Sequence, residues 1–141
     1  MKPRIITYHI DPSLGKDGAK CVQWALGKWT SWLAGEIKFE PRPKDQADWR
    51  FEMRHHPNWP DKIAKCIHTS PGKADIIFDP REPWAMTRFQ RAFGKGDCLR
   101  TYAVHEGGHA LGIHHSEDSD SVMFHQPRYV WIDRQTLNSI S

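Results

Sequence analysis

The chain reads as a single α+β domain, close to α/β in its alternation of elements, and three observations carry that reading. Residues 16–33 repeat apolar side chains at helical spacing, five short runs alternate or cluster apolar residues as strands do, and a second helix brings His105 and His109 to one face. With 141 residues there is enough chain for one core and too little for two ordinary ones, so residues 1–141 are expected to form one domain.

The first strand is expected at 5–10, because Ile5, Ile6, Tyr8 and Ile10 favour extended backbone and Asp11-Pro12 ends it. In 16–33, Val22, Ala25, Leu26, Trp29, Trp32 and Leu33 fall at i, i+3, i+4, i+7 spacing on one face, and Gly35 marks the exit. A Trp-rich face at this spacing packs against a sheet. Residues 36–42 alternate around Ile37 and Phe39 until Pro41 and Pro43 stop the run, and 47–55 alternate with Trp49, Phe51 and Met53 on one side. Loop chemistry occupies His56-Pro57-Asn58-Trp59-Pro60-Asp61; a weaker strand follows at 65–69 and a continuous apolar one at 74–78. At the end, 131–140 is expected to be a helix, with Asp133 as N-cap and Leu137 and Ile140 on its apolar side.

Composition excludes several classes. No run approaches the about 18 apolar residues of a membrane span, so no membrane partner is expected. Net charge is +3, and the densest basic set, Arg81, Arg88, Arg91, Lys95 and Arg100, is broken by Glu82 and Asp97, which reads as a solvated face and not a nucleic-acid surface. The opening Met1-Lys2-Pro3-Arg4 runs straight into strand-like sequence without a signal-peptide core, so a cytoplasmic setting or a nonclassical route of export is expected. The three cysteines, Cys21, Cys66 and Cys98, are an odd number at no framework spacing and are expected as core thiols in a reducing compartment.

The chemistry concentrates in His105-Glu106-Gly107-Gly108-His109-Ala110-Leu111-Gly112-Ile113-His114-His115. His105 and His109 are four residues apart, so on a helix of about 3.6 residues per turn both imidazoles reach one ion. Glu106 lies about 100° round the helix from His105, beside that ion. Gly112 can take positive φ and end the helix, after which His115 is placed to return as a third ligand. Three histidines with a fourth position left open describe a catalytic zinc site, not a structural one.

This run is similar to the HExxHxxGxxH signature of the metzincin metalloproteases, and Ser116 after the last histidine resembles the matrixin variant. Seven residues separate His115 from Met123, the matrixin spacing to the Met-turn, so the resemblance implies that Met123 forms a hydrophobic floor under the ligands. Phe78-Asp79-Pro80-Arg81-Glu82-Pro83-Trp84 resembles the family's FDxxExW segment, and Ala103-Val104-His105 its approach to the zinc helix. The resemblance implies a zincin (metzincin) fold: a five-stranded twisted mixed sheet with one antiparallel edge strand, a long first helix, an active-site helix and a C-terminal helix. It also implies an upper subdomain over 1–104 and a lower one over 105–141 with the zinc motif and Met-turn.

The implied function is a monomeric zinc-dependent endopeptidase acting on a polypeptide substrate, with Glu106 as general base and the edge strand at 65–69 binding the peptide. A zinc amidase acting on cell-wall peptides and a noncatalytic zinc-binding module are the rival classes. One catalytic zinc is expected. The family's structural zinc lacks a ligand where Ile77 stands, leaving His55 or His56 and His68 as remnants or loop histidines. Asp79 and Glu82 match calcium-binding positions of the family, which makes calcium a second candidate ion, though two carboxylates alone do not define a site. Pro127 and Tyr129 resemble the Pro-x-Tyr of the family's S1′ wall, displaced by two residues. His125 stands two residues after Met123, where astacins and serralysins carry a tyrosine near the metal; it is either an analogue or a surface histidine.

Overall fold

A computed structural model describes residues 2–94 and 96–140. Five strands form one sheet: β1 (Arg4–Ile10), β2 (Ile37–Pro41), β3 (Trp49–Met53), β4 (Ala64–Ser70) and β5 (Lys73–Phe78). Their order is β2-β1-β3-β5-β4, parallel throughout except for β4, which runs antiparallel to β5 at the edge. The mixed sheet with one antiparallel edge strand is therefore present. Ser70-Pro71-Gly72-Lys73 makes the only hairpin of this sheet among the described residues; Gly72 adopts φ 78° there, a conformation that costs glycine no Cβ clash.

Helix α1 (Gly15–Trp32) lies across the sheet with Cys21, Val22, Ala25, Leu26 and Trp29 buried. Leu33 is buried just beyond its end, while Trp32 is half-buried and stands edge-on to Trp29 at 5.0 Å. From the sheet side Trp49 and Phe51 are buried and Met53 is half-buried, so the alternation in 47–55 points where its period requires. Burying a side chain of this size stabilises by about 1.5–3 kcal/mol. The Trp29 indole also donates to the Val104 carbonyl at 2.9 Å inside the core, which ties α1 to helix α3 (Leu99–Ala110). A buried indole N–H without that partner would cost about 1–3 kcal/mol.

Three local expectations are corrected. The C-terminal helix, α4 (Arg134–Asn138), has 5 residues where 131–140 was expected; Asp133 does cap it, accepting from Thr136 N at 3.0 Å. It cannot begin at Trp131, whose carbonyl accepts from Val122 N at 2.6 Å and is thereby held to the Met123 turn. A further helix, α2 (Arg88–Phe93), stands in the basic stretch that read only as a solvated face. It buries nothing, so no apolar period announces it, but Thr87 and Gln90 form a reciprocal capping box, a pattern visible in the sequence. Lys95 of that basic stretch lies outside the described residues. Of the cysteines, all free, only Cys21 is buried; Cys66 and Cys98 are half-buried.

Candidate metal centre

Helix α3 carries the first two histidines, and its end delivers the third. Gly112 takes φ 90°, with Gly112 N donating to His109 O and Ile113 N to Gly108 O, both at 2.9 Å. This is a Schellman stop, in which the left-handed residue reverses the chain and the following apolar residue, here the buried Ile113, packs back on the helix. His115 is thereby returned beneath His105 and His109, with ring centroids 5.3 and 4.9 Å away. One ligand nitrogen from each of His105, His109 and His115 lies within 4.8 Å of the other two.

Backbone carbonyls set the tautomers. His105 Nδ1 donates to Val122 O at 2.7 Å and His109 Nδ1 to Ile113 O at 2.8 Å, leaving both Nε2 lone pairs facing each other 3.2 Å apart. Two acceptors at that separation repel unless a cation lies between them, and carbonyl-oriented imidazoles of this kind are a metal's usual surroundings. Burial pushes the His105 pKa down to about 3 and lowers those of His109 and His115, so all three are neutral ligands near pH 7. This nitrogen donor set, with the fourth direction open to the cleft, fits zinc.

A prediction on acid resistance follows. Protons compete with zinc for the imidazole lone pairs, and a lowered pKa moves that competition to lower pH. At about pH 5.5, a unit below the ordinary imidazole value, the folded protein should retain zinc that a free peptide of residues 105–115 has released. Competition with a chromophoric chelator across pH measures this; equal release from protein and peptide would contradict it.

Met123 is fully buried behind the ligands, held by Ser121, whose hydroxyl accepts from Met123 N at 3.2 Å, and by Ser116 N donating to Met123 O at 2.8 Å. Its sulfur rests on Gly108: a Cβ at that position would stand 2.4 Å from Sδ and 3.1 Å from the Trp29 ring. Ser121, buried and given no role of its own by the sequence, is therefore a determinant of this turn. Its place directly before Val122-Met123 was the available signal.

Glu106 is buried at the base of a cleft of about 590 Å³, bounded by the 61–66 stretch with β4, by α3, and by the chain from Gly112 to Gln126. Burial raises its pKa to about 7, while Lys65 and Lys62 pull in the opposite direction. Tyr102 lines the same cleft with its phenol pushed up to about 12 by burial, hence neutral.

Of the remaining candidates, His68 and His125 line the cleft. From the chain after Met123 the cleft takes His125 and Gln126; Pro127 is buried and Tyr129 is 56% exposed, and neither borders it. The ring of His125 lies 4.4 Å from that of Phe124, close enough to His115 to lower its pKa by charge repulsion. His56 stacks on Trp59 at 4.1 Å, and His68 Nε2 bonds to the His109 carbonyl at 3.0 Å. Asp79 accepts from Arg81 N, Nε and Nη2 and from His55 Nδ1, and Glu82 accepts from Asp97 N, so both carboxylates are engaged within the chain. Among the described residues the three-histidine set is the one cluster of three or more metal-ligating side chains.

The family model described as Matrixin matches residues 2–139. The chain belongs to the matrixin family. As a matrixin it is 40% identical to macrophage metalloelastase of Oryctolagus cuniculus over 77 residues, which cover 54% of this chain and 15% of that protein. It is 31% identical to matrix metalloproteinase-27 of Homo sapiens, covering 92% of this chain and 25% of the relative. With matrix metalloproteinase-C of Caenorhabditis elegans it shares 29% identity over 84% of this chain and 22% of the relative. This matrixin chain thus spans about a tenth to a quarter of the length of the curated relatives it matches.

Proposed function

We propose that the chain is a zinc-dependent endopeptidase unit that hydrolyses peptide bonds, with His105, His109 and His115 as metal ligands and Glu106 as general base. The observation carrying this reading is the convergence of three neutral imidazole nitrogens within 4.8 Å, at a cleft whose base is a buried carboxylate. Zinc held there supplies Lewis-acid chemistry, polarising a carbonyl and acidifying water. The Val122 and Ile113 carbonyls keep two ligand rings oriented, so little reorganisation is needed at the moment of reaction. Glu106 takes the proton from the attacking water and returns it to the leaving amine nitrogen, which prevents the amine from departing as an anion.

The peptide is positioned by β4. As an edge strand it has no strand partner on its outer side, and an extended substrate pairs with the backbone groups there as an added strand. A segment inside a helix or a paired strand has its backbone groups already engaged, so flexible or unfolded stretches are the substrates. Met123 maintains the ligand helix from behind and contributes no group to the cleft.

A diverse unfolded-peptide mixture, incubated with metal-stripped and zinc-reloaded protein and read by mass spectrometry, tests the proposal. New internal cuts should require zinc. If the reloaded protein holds one zinc and cuts nothing, the activity lies with another amide substrate, such as cell-wall peptides, or the site only binds.

A further inference from the structure

The charged side chains at the cleft are two cations and two carboxylates, and one of the carboxylates is buried. Lys62 and Lys65 border the cleft, with the imidazoles of His68, His114 and His125. Against them stand Asp61 on the rim and Glu106, which is buried at the base. Neither lysine forms an ion pair among the described residues. Lys62 is exposed, whereas Lys65 is half-buried with its Nζ 5.1 Å from the Trp59 ring centroid. That cation–π contact holds the ammonium in place without using its N–H donors, so its ordering entropy is already spent before a ligand arrives.

We propose that the cleft selects peptides with acidic side chains beside the scissile bond, and that Lys62 and Lys65 are the specificity-determining residues that hold them. The inference rests on the peptidase reading for where the peptide lies: paired along β4, its backbone passes Lys65 and the chain leading into the strand. Three residues of extended chain span at most about 10 Å, so the two ammonium groups can engage carboxylates a few positions apart in one substrate. Apolar or basic segments gain nothing from this arrangement, and basic ones are repelled. Specificity then comes as much from rejection as from attraction.

Two peptides identical except for Glu against Gln at the positions flanking a cut site separate this from general proteolysis. With zinc-loaded protein the Glu peptide should show a kcat/KM about threefold higher for one acidic residue and about tenfold higher for two, as expected of solvent-exposed ion pairs. The ratio should shrink as ionic strength rises and the Debye length shortens, and should fall to about one in the Lys62→Gln, Lys65→Gln double variant. The same peptides, fluorescently labelled, are titrated onto zinc-loaded Glu106→Gln protein, where anisotropy reads binding without turnover. If no peptide is cut but the Glu peptide still binds tighter in a lysine-dependent way, the peptidase reading fails and the acidic-ligand site stands. Equal binding of the two peptides, or a preference unaffected by the double variant or by salt, overturns the site.

Discussion

Glu106→Gln lowers kcat/KM for peptide cleavage by about 10²–10⁴-fold, the range that a positioned general base contributes, while zinc affinity stays within a few-fold of the wild type. The amide has the shape of the carboxylate and cannot accept the proton, so packing at the base of the cleft is kept and the proton path is lost. Stability separates this from a structural defect. The Glu106 pKa is raised in the folded metal-free state, to about 7 from 4.5, so this residue's contribution to stability falls as pH rises between those values and stays low above them. At about pH 8 the metal-free glutamine variant should therefore melt no lower than the wild type, since it removes a buried charge. Retention of more than a tenth of the wild-type kcat/KM would mean that another group moves the proton.

The second large effect is in packing. Gly107 and Gly108 sit inside α3, where alanine normally gains about 1 kcal/mol over glycine in helix propensity. At Gly107 an added Cβ meets Trp29 Nε1 at 3.2 Å, tight by only a few tenths of an ångström, a cost that the helix-propensity gain offsets. At Gly108 it meets Met123 Sδ at 2.4 Å, Met123 Cε at 2.9 Å and the Trp29 ring at 3.1 Å. Met123 and Trp29 are both fully buried, so neither has free space to move into. Gly108→Ala should therefore lose about 1–3 kcal/mol to overpacking, lowering Tm by several degrees and weakening zinc binding, because the displaced helix carries His109 on the next residue. Gly107→Ala should stay near the wild type. Thermal melts of both variants with and without zinc decide the matter; a Gly108→Ala protein as stable as Gly107→Ala would remove the role assigned to the Met123 contact.

These residues also mark what sequence reasoning can reach. The spacing of His105, Glu106 and His109 needs only helix geometry to be interpreted, and Gly112 announces its own reversal, because a positive φ is a property of one residue. Helix α1 and strand β3 were legible from period alone, since their apolar faces bury against one layer. Helix α2 was missed because it has no buried face, and the reach of 131–140 was overestimated because the Trp131 carbonyl is committed to Val122, nine residues earlier. Pro127 and Tyr129 were placed by resemblance to a pattern displaced by two residues, and that segment instead brings His125 and Gln126 to the cleft.

By itself, then, the sequence determined the α+β class, the order of five strands and two long helices, and the identity of the zinc-motif residues, all of which depend on contacts a few residues apart. The tertiary structure alone decided that Gly108 lies against Met123 and Trp29, that backbone carbonyls orient two of the imidazoles, and that Lys62 and Lys65 share a cleft with Glu106. Each of those depends on which distant segments become neighbours, and that choice comes from the packing of the whole core, not from any local period.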